Sequence, residues 1–234
     1  MGRMERSSVK RVAGLILLFL VAAALGSCAF LKGKGKPVYN LPLNEGVTNL
    51  VLTDMEKEVV RQLNDLRTNP GQWAGHVRKL KGRGLVLDQQ GMQRIDGEEA
   101  ATAAEDATLF LERRKPLPPF RVSKGFCLTA RDLLNDHGPK GLTGHRGSDG
   151  SSFFDRILRH GQWEGKAGEN LVYGYKDADR LLIGLLTEGG SEGLEQRNNV
   201  FNKDFNLIGV ACGKHNVYRT MCVIDFAEKY TEMP

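Results

Sequence analysis

The chain has 234 residues, with 33 Lys and Arg against 28 Asp and Glu and a net charge of +5. That length supports one domain with a filled core plus flanking segments. The basic excess is too small for a broad phosphate-binding surface, which excludes a nucleic-acid partner.

The first 27 residues do not read as part of that domain. Arg3, Arg6, Lys10 and Arg11 precede the apolar run Val12–Leu25, which ends in Leu25-Gly26-Ser27-Cys28. A basic start, a short apolar stretch and small residues before a cleavage point make a secretory signal. The run falls short of the roughly 20 apolar residues of a membrane span. Leu-Gly-Ser-Cys also resembles the bacterial lipobox, in which the cysteine is acylated and becomes the first mature residue; an ordinary signal peptide ending near a cysteine is the alternative. Ala29 at the next position resembles lipoproteins sent on to the outer membrane, where the envelope has one. The expected organisation is a signal peptide over 1–27, lipidated Cys28 and a flexible tether over 28–53, and a folded domain over 54–230. Removing the signal, with its four basic side chains and Glu5, lowers the net charge from +5 to +2. Lys32, Lys34 and Lys36, separated by glycines, then lie in the tether, solvated or touching anionic headgroups.

Along the domain, Thr53 or Asp54 caps a helix whose Val59, Leu63 and Leu66 recur on one face. It ends before Asn69-Pro70, since the residue ahead of a proline disfavours helical backbone. A short helix is expected over Gln72–Leu80, irregular chain over 82–96 and an alanine-rich helix over Glu98–Arg113. Pro116, Pro118 and Pro119 interrupt the chain. Phe126, Thr129, Ala130 and Leu133 mark another helix ending near Gly138-Pro139. Ser151 or Ser152 caps the next, with Phe154, Ile157 and Leu158 expected to face inward. Leu171–Tyr173 reads as a strand, Asp179–Leu186 as a helix, and Leu207–Cys212 and Tyr218–Phe226 as paired strands. Helices interleaved with few strands, finishing in a hairpin, indicate a layered α/β domain. Export places cysteines where disulfides persist. Cys212 and Cys222 flank the turn-like Gly213-Lys214-His215-Asn216, so they are the expected bridge. Cys127, inside a helical pattern, is the odd thiol, buried and without an adjacent base.

The chemistry concentrates between Gly141 and Tyr175. His145 sits in the Gly/Ser/Asp-rich stretch Gly144–Gly150, and Glu169 lies between Gly168 and Asn170. An imidazole and a carboxylate on short glycine-flanked turns are groups that bind a divalent metal or move a proton. Downstream, Gln196 heads QRNNVFNKDFNLIGVAC (196–212), which has the layout of a loop entering a strand. These segments resemble the CAP superfamily, or SCP domain, of cysteine-rich secretory, antigen-five and pathogenesis-related proteins and many bacterial members. The match is close over Gly144–Gly150, Gly168–Gly174 and Arg197–Ala227, and looser over Asp54–Pro70. The resemblance implies a three-layer α-β-α sandwich and a cleft that usually holds two histidines and two acidic residues. His145 and Glu169 match that pattern, Glu188 is the best second carboxylate ahead of Glu192 and Glu195, and Gln196 replaces the second histidine. Asn170, in the Gly-Glu-Asn-Leu signature, is expected to tie loops together.

Gln196 governs the chemistry expected. A primary amide is a poor zinc ligand and cannot titrate. His145, Glu169 and Glu188 remain candidate metal ligands, for calcium or magnesium rather than zinc, because Gln196 still offers a carbonyl. No cofactor is required. A serine hydrolase built from Ser148 or Ser151 with His145 and Asp149 lacks the Gly-x-Ser-x-Gly elbow. Three functions remain open. The first is a non-enzymatic, lipid-anchored envelope module that binds a lipid, peptide, glycan or protein in the cleft. The second is a metal-assisted, protease-like hydrolase using His145 and Glu169, and the third is a structural envelope protein with a relic cleft.

Overall fold

The computed structural model describes residues 40–47, 49–79, 83–88, 91–96 and 98–233. The expected signal peptide, Cys28 and most of the expected tether lie outside them. Val38–Pro234 forms one compact unit.

The first helix, α1 (Asp54–Thr68), starts at a reciprocal cap. Thr53 Oγ1 accepts from the Glu56 N–H, while Glu56 Oε2 accepts from the Thr53 N–H at 2.8 Å. Pro70 opens α2 (Pro70–Arg78), where a missing N–H costs nothing. Two strands, β1 (Arg83–Asp88) and β2 (Gly91–Asp96), replace the irregular stretch expected over 82–96. They pair antiparallel from Arg83↔Asp96 to Asp88↔Gly91, so each satisfies the other's backbone groups. Next come α3 (Glu98–Glu112), the two-residue β3 (Arg121–Val122) and α4 (Lys124–Lys140). The order continues with α5 (Phe153–Leu158), β4 (Gly161–Tyr173), α6 (Ala178–Thr187), α7 (Gly190–Val200), β5 (Leu207–His215) and β6 (Arg219–Glu232).

The main sheet runs β3-β5-β6-β4, with β3 parallel to β5 and the other pairs antiparallel. Alternation along the strands separates two cores. Ile208, Val210, Cys222, Ile224 and Phe226 pack with α1, α3 and α6. Ala211, Met221 and Val223 pack against α4, and Leu207 and Ala227 join Phe126, Phe153 and Ile157 of α4 and α5. Helices on both faces of the sheet make the three-layer α-β-α sandwich. Gly209 lets the lower layer close: a Cβ there would lie 2.2 Å from the Phe126 carbonyl carbon.

Buried charge fastens the layers. Glu56, with no exposed surface, accepts from Arg131 of α4 and from the Cys212 N–H of β5 at 2.9 Å. Arg67 gives its N–H groups to the carbonyls of Pro118, Val200, Asn202 and Phe205 at 2.6–2.9 Å. Desolvation lowers its guanidinium pKa to about 10. Cys212 and Cys222 stand directly opposite on β5 and β6 and form the expected disulfide. Cys127 is a buried free thiol whose pKa burial pushes up to about 12, too high for a nucleophile.

Several expected elements differ in extent or facing. β4 begins at Gly161 rather than Leu171, because β6 continues to Glu232 and supplies partners for the polar stretch, with a bulge between Glu164 and Ala167. Residues 190–200, expected to include the start of a loop, form α7. In α5, Phe154 and Leu158 are 45% and 47% exposed, while Phe153, Arg156 and Ile157 are buried.

Candidate functional site

The loop that carries His145 is held from below by two buried histidines. His137, on α4, donates Nε2–H to the Arg146 carbonyl at 3.0 Å. His215 donates Nε2–H to the Leu142 carbonyl at 2.8 Å, while its Nδ1 accepts from the Tyr218 N–H at 3.0 Å. Asp136 accepts from the N–H and hydroxyl of Ser148. Gly144, at φ +93°, turns the chain where an L side chain would be strained. Its N–H donates to the Tyr173 hydroxyl at 3.4 Å. The loop is therefore pinned at four points around His145.

His145 projects from that frame with 62% of its side chain exposed, while Glu169, on β4, is almost fully buried behind it. His145 Nδ1–H donates to Glu169 Oε1 at 2.8 Å. That hydrogen bond, followed by the negative charge of Glu169, raises the imidazole pKa. Arg156, on α5, donates Nη2–H to Glu169 Oε2 at 2.5 Å and Nη1–H to the His145 carbonyl at 3.0 Å. One buried guanidinium thus fixes both the carboxylate and the loop above it.

Asp225, on β6, lies opposite Glu169 in the strand register and has no exposed surface. Among the described residues, neither of its carboxyl oxygens receives an N–H or O–H. Desolvation, then the charge of Glu169, pushes its pKa well above the ordinary carboxylate range. Both effects favour the uncharged acid beside Glu169. Sequence reading missed Arg156 and Asp225 altogether. The available signals were weak: a charged residue on the buried stripe of a short helix and an acid inside the apolar run CVIDFA.

The opposite wall comes from α6 and α7. Glu188 caps the C-terminus of α6 and accepts from Gln196 Nε2 at 2.6 Å. Gln196 lies on α7 rather than at the head of a loop. Its Oε1 is buried without a hydrogen-bond partner among the described residues. Asn170, fully buried, donates to the Gln196 backbone carbonyl at 3.0 Å and accepts from Asn199 at 2.8 Å. It ties β4 to α7. Between the walls is a cavity of about 700 Å³ that brings together His145, Glu169, Asn170, Glu188 and Gln196. Phe153, Tyr173 and Tyr218 add ring surface to it. Burial raises the Tyr173 hydroxyl pKa to about 12, so it stays neutral.

The donor set does not suit a metal. Among the described residues, no three His, Cys, Asp or Glu side chains gather as ligands. Both Glu169 oxygens are engaged, one by a guanidinium and one by the imidazole that would be its co-ligand. The serine arrangement is not assembled either. Ser148 Oγ donates to Asp136, Asp149 binds the Ser151 N–H and Arg159, and His145 bonds to none of them.

The family model described as CAP, the cysteine-rich secretory protein family, matches residues 60–226. No curated protein matches the chain. An outer surface protein of Borrelia burgdorferi aligns at 18% identity and TM-score 0.42, over 55% of this chain and 90% of its own. An extracellular protein containing an SCP domain from Bacillus anthracis aligns at 16% identity and TM-score 0.41, over 64% of this chain and 61% of its own. Among the described residues, no helix is long and apolar enough to cross a membrane.

Proposed function

We propose that this chain, which belongs to the CAP (cysteine-rich secretory protein) family, is an exported lipoprotein whose cleft binds a ligand without transforming it. The observation that carries this reading is the saturation of Glu169. Arg156 and His145 each engage one oxygen of its carboxylate. A general base or water-activating ligand needs an available lone pair and a group that exchanges protons near neutral pH. Glu169 instead spends its charge on holding His145 in place. The cavity volume falls within the range of small-molecule and peptide sites, and its rings, imidazole and amides suit a lipid, peptide or glycan group. Attachment to the envelope through acylated Cys28 would display that cleft at a surface.

Thermal-shift screening over lipid, peptide and glycan panels identifies a ligand, and His145→Ala should weaken it at least about tenfold, the equivalent of 1.4 kcal/mol. Because His145 is mostly exposed, the variant should fold normally. Affinity unchanged in His145→Ala removes the cleft as the binding site. The metal-assisted hydrolase has its own test. Purified protein should contain no stoichiometric zinc and show no peptidase turnover. One tightly held zinc lost in His145→Ala, or turnover abolished in Glu169→Gln, would replace binding with catalysis. For the anchor, Cys28→Ser should move the protein from membranes to the soluble fraction; continued membrane association refutes acylation there.

A further inference from the structure

The lining of the cleft is acidic. Glu169, Glu188 and Glu195 all contribute to it, and among the described residues no lysine or arginine does. The guanidinium groups nearby are committed elsewhere. Arg156 is buried and pairs with Glu169, which cancels that charge. Arg197, also buried, gives its N–H groups to the Gly193 and Leu186 carbonyls, and Arg146 gives one to the Gly150 carbonyl. Glu195 is exposed on α7 and pairs with no cation among the described residues. Its charge adds to the Glu169 hydrogen bond in raising the imidazole pKa of His145, so both walls share one field.

Hydrogen-bonding capacity is one-sided in the same direction. The three amides of the lining already donate to protein acceptors: Gln196 to Glu188, Asn170 to the Gln196 carbonyl and Asn199 to Asn170. His145 gives Nδ1–H to Glu169, which leaves Nε2 of the neutral ring as an acceptor on a mostly exposed side chain. A carboxylate or phosphate would meet negative charge and lone pairs there. An ammonium or guanidinium supplies the N–H groups that such a lining requires.

Aromatic rings complete the fit. Tyr173 and Tyr218 lie 5.3 Å apart between centroids with their planes at 52°, and His215 packs 5.4 Å from Tyr173 behind them. Two tilted rings form a corner for an alkyl stem, and the quadrupole of each face favours positive charge. The cavity, at about 700 Å³, holds such a stem together with its head.

We propose that the cleft takes a protonated amine or guanidinium on an apolar stem, the chemistry of a lysine or arginine side chain in a peptide. The stem lies against Tyr173 and Tyr218, and the head donates to Glu195 and to His145 Nε2. This assignment rests on the reading of the cleft as a binding site and narrows it. Fatty acids and phosphorylated ligands are excluded, and a choline-type head has no N–H to give.

The test titrates purified protein with hexylamine, hexanol and hexanoate, which share a stem and differ in charge. Binding is followed by NMR at the Tyr173 and Tyr218 ring resonances, at a pH where the imidazole is neutral. Hexylammonium should bind about five- to tenfold more tightly than hexanol, from one carboxylate and one ring contact, and hexanoate more weakly than either. Near 0.5 M NaCl, where screening acts within about 4 Å, the advantage of the amine should shrink while hexanol is unchanged. Glu195→Gln, at an exposed helix position, should cost the amine about two- to fivefold and spare hexanol. An amine preference untouched by Glu195→Gln overturns Glu195 as its partner. Equal binding of all three probes overturns the cation and leaves the binding cleft standing. Ring resonances that no probe moves overturn the cleft and the cation together. Hexyltrimethylammonium that matches hexylammonium overturns the N–H donation and assigns the head to choline-type lipids instead.

Discussion

Asp225→Asn isolates the proton that the cleft floor carries. Asparagine keeps the size of the side chain and its N–H can replace the acid O–H toward Glu169, but it needs no proton from solvent. The wild-type acid is fully buried and its folded pKa stands well above the ordinary value of 3.8. A raised folded pKa contributes stability that is complete below the unfolded pKa and is lost as pH rises through the folded one. Across that window the folded protein holds one more proton than the unfolded chain, so wild type loses about 1.4 kcal/mol per pH unit relative to the variant. For a domain near 200 residues, 1 kcal/mol moves Tm by roughly 2–4 °C, so the difference between the two proteins should open by about 3–5 °C per pH unit. Asp225→Asn should therefore overtake wild type as pH rises from about 4. His145, raised by Glu169, contributes stability present below the ordinary imidazole value and lost above its folded one, and it does so in both proteins. Calorimetry at a series of pH values reads the difference directly. A constant difference would refute a protonated Asp225. A variant whose deficit grows with pH would show instead an ionised Asp225 paired with Arg156.

Two further substitutions probe the scaffold. Arg156→Met leaves Glu169 buried without its guanidinium, and breaking such a pair should cost about 3–5 kcal/mol in urea unfolding. Arg156→Met/Glu169→Gln should recover part of that loss, whereas an additive double variant refutes the pairing. Replacing both Cys212 and Cys222 with alanine opens a link between residues ten apart, and the loop-entropy relation assigns it about 2.5–3 kcal/mol. Unchanged stability after reduction would mean that the hairpin is already ordered in the unfolded chain.

The parts of the fold legible in the sequence are those set by local periodicity. Val59, Leu63 and Leu66 of α1, and Phe126, Thr129, Ala130 and Leu133 of α4, are all buried as their spacing required. The cysteine pair followed from the hairpin that brings it together. The N-terminal half of β4 was not legible, because GQWEGKAGEN carries no alternating apolar signal and is a strand only through its partner on β6. Arg156 was hidden for a related reason. A helix periodicity scores a buried arginine as solvent-facing, so the apolar stripe of α5 was rotated toward Phe154 and Leu158. The same error concealed two features at once. The inward arginine organises the cleft, while Phe154 and Leu158 lie half exposed.

The candidate site shows the same division between composition and contact. The residues His145, Glu169, Asn170, Glu188 and Gln196 could be named from their strings, and one cavity gathers all five. Their chemistry depended on partners that sequence spacing cannot reveal. Asp225 is 56 residues from Glu169, yet it lies opposite on the neighbouring strand. Glu169 itself is bound by a guanidinium and an imidazole, with that buried acid facing it. Gln196 was expected to decide against zinc as a substituted ligand, and in the structure its amide donates to Glu188. The stronger constraint comes from the other wall of the cleft: with Arg156 and His145 each holding one oxygen of Glu169, restoring a histidine at 196 alone would still leave that carboxylate engaged.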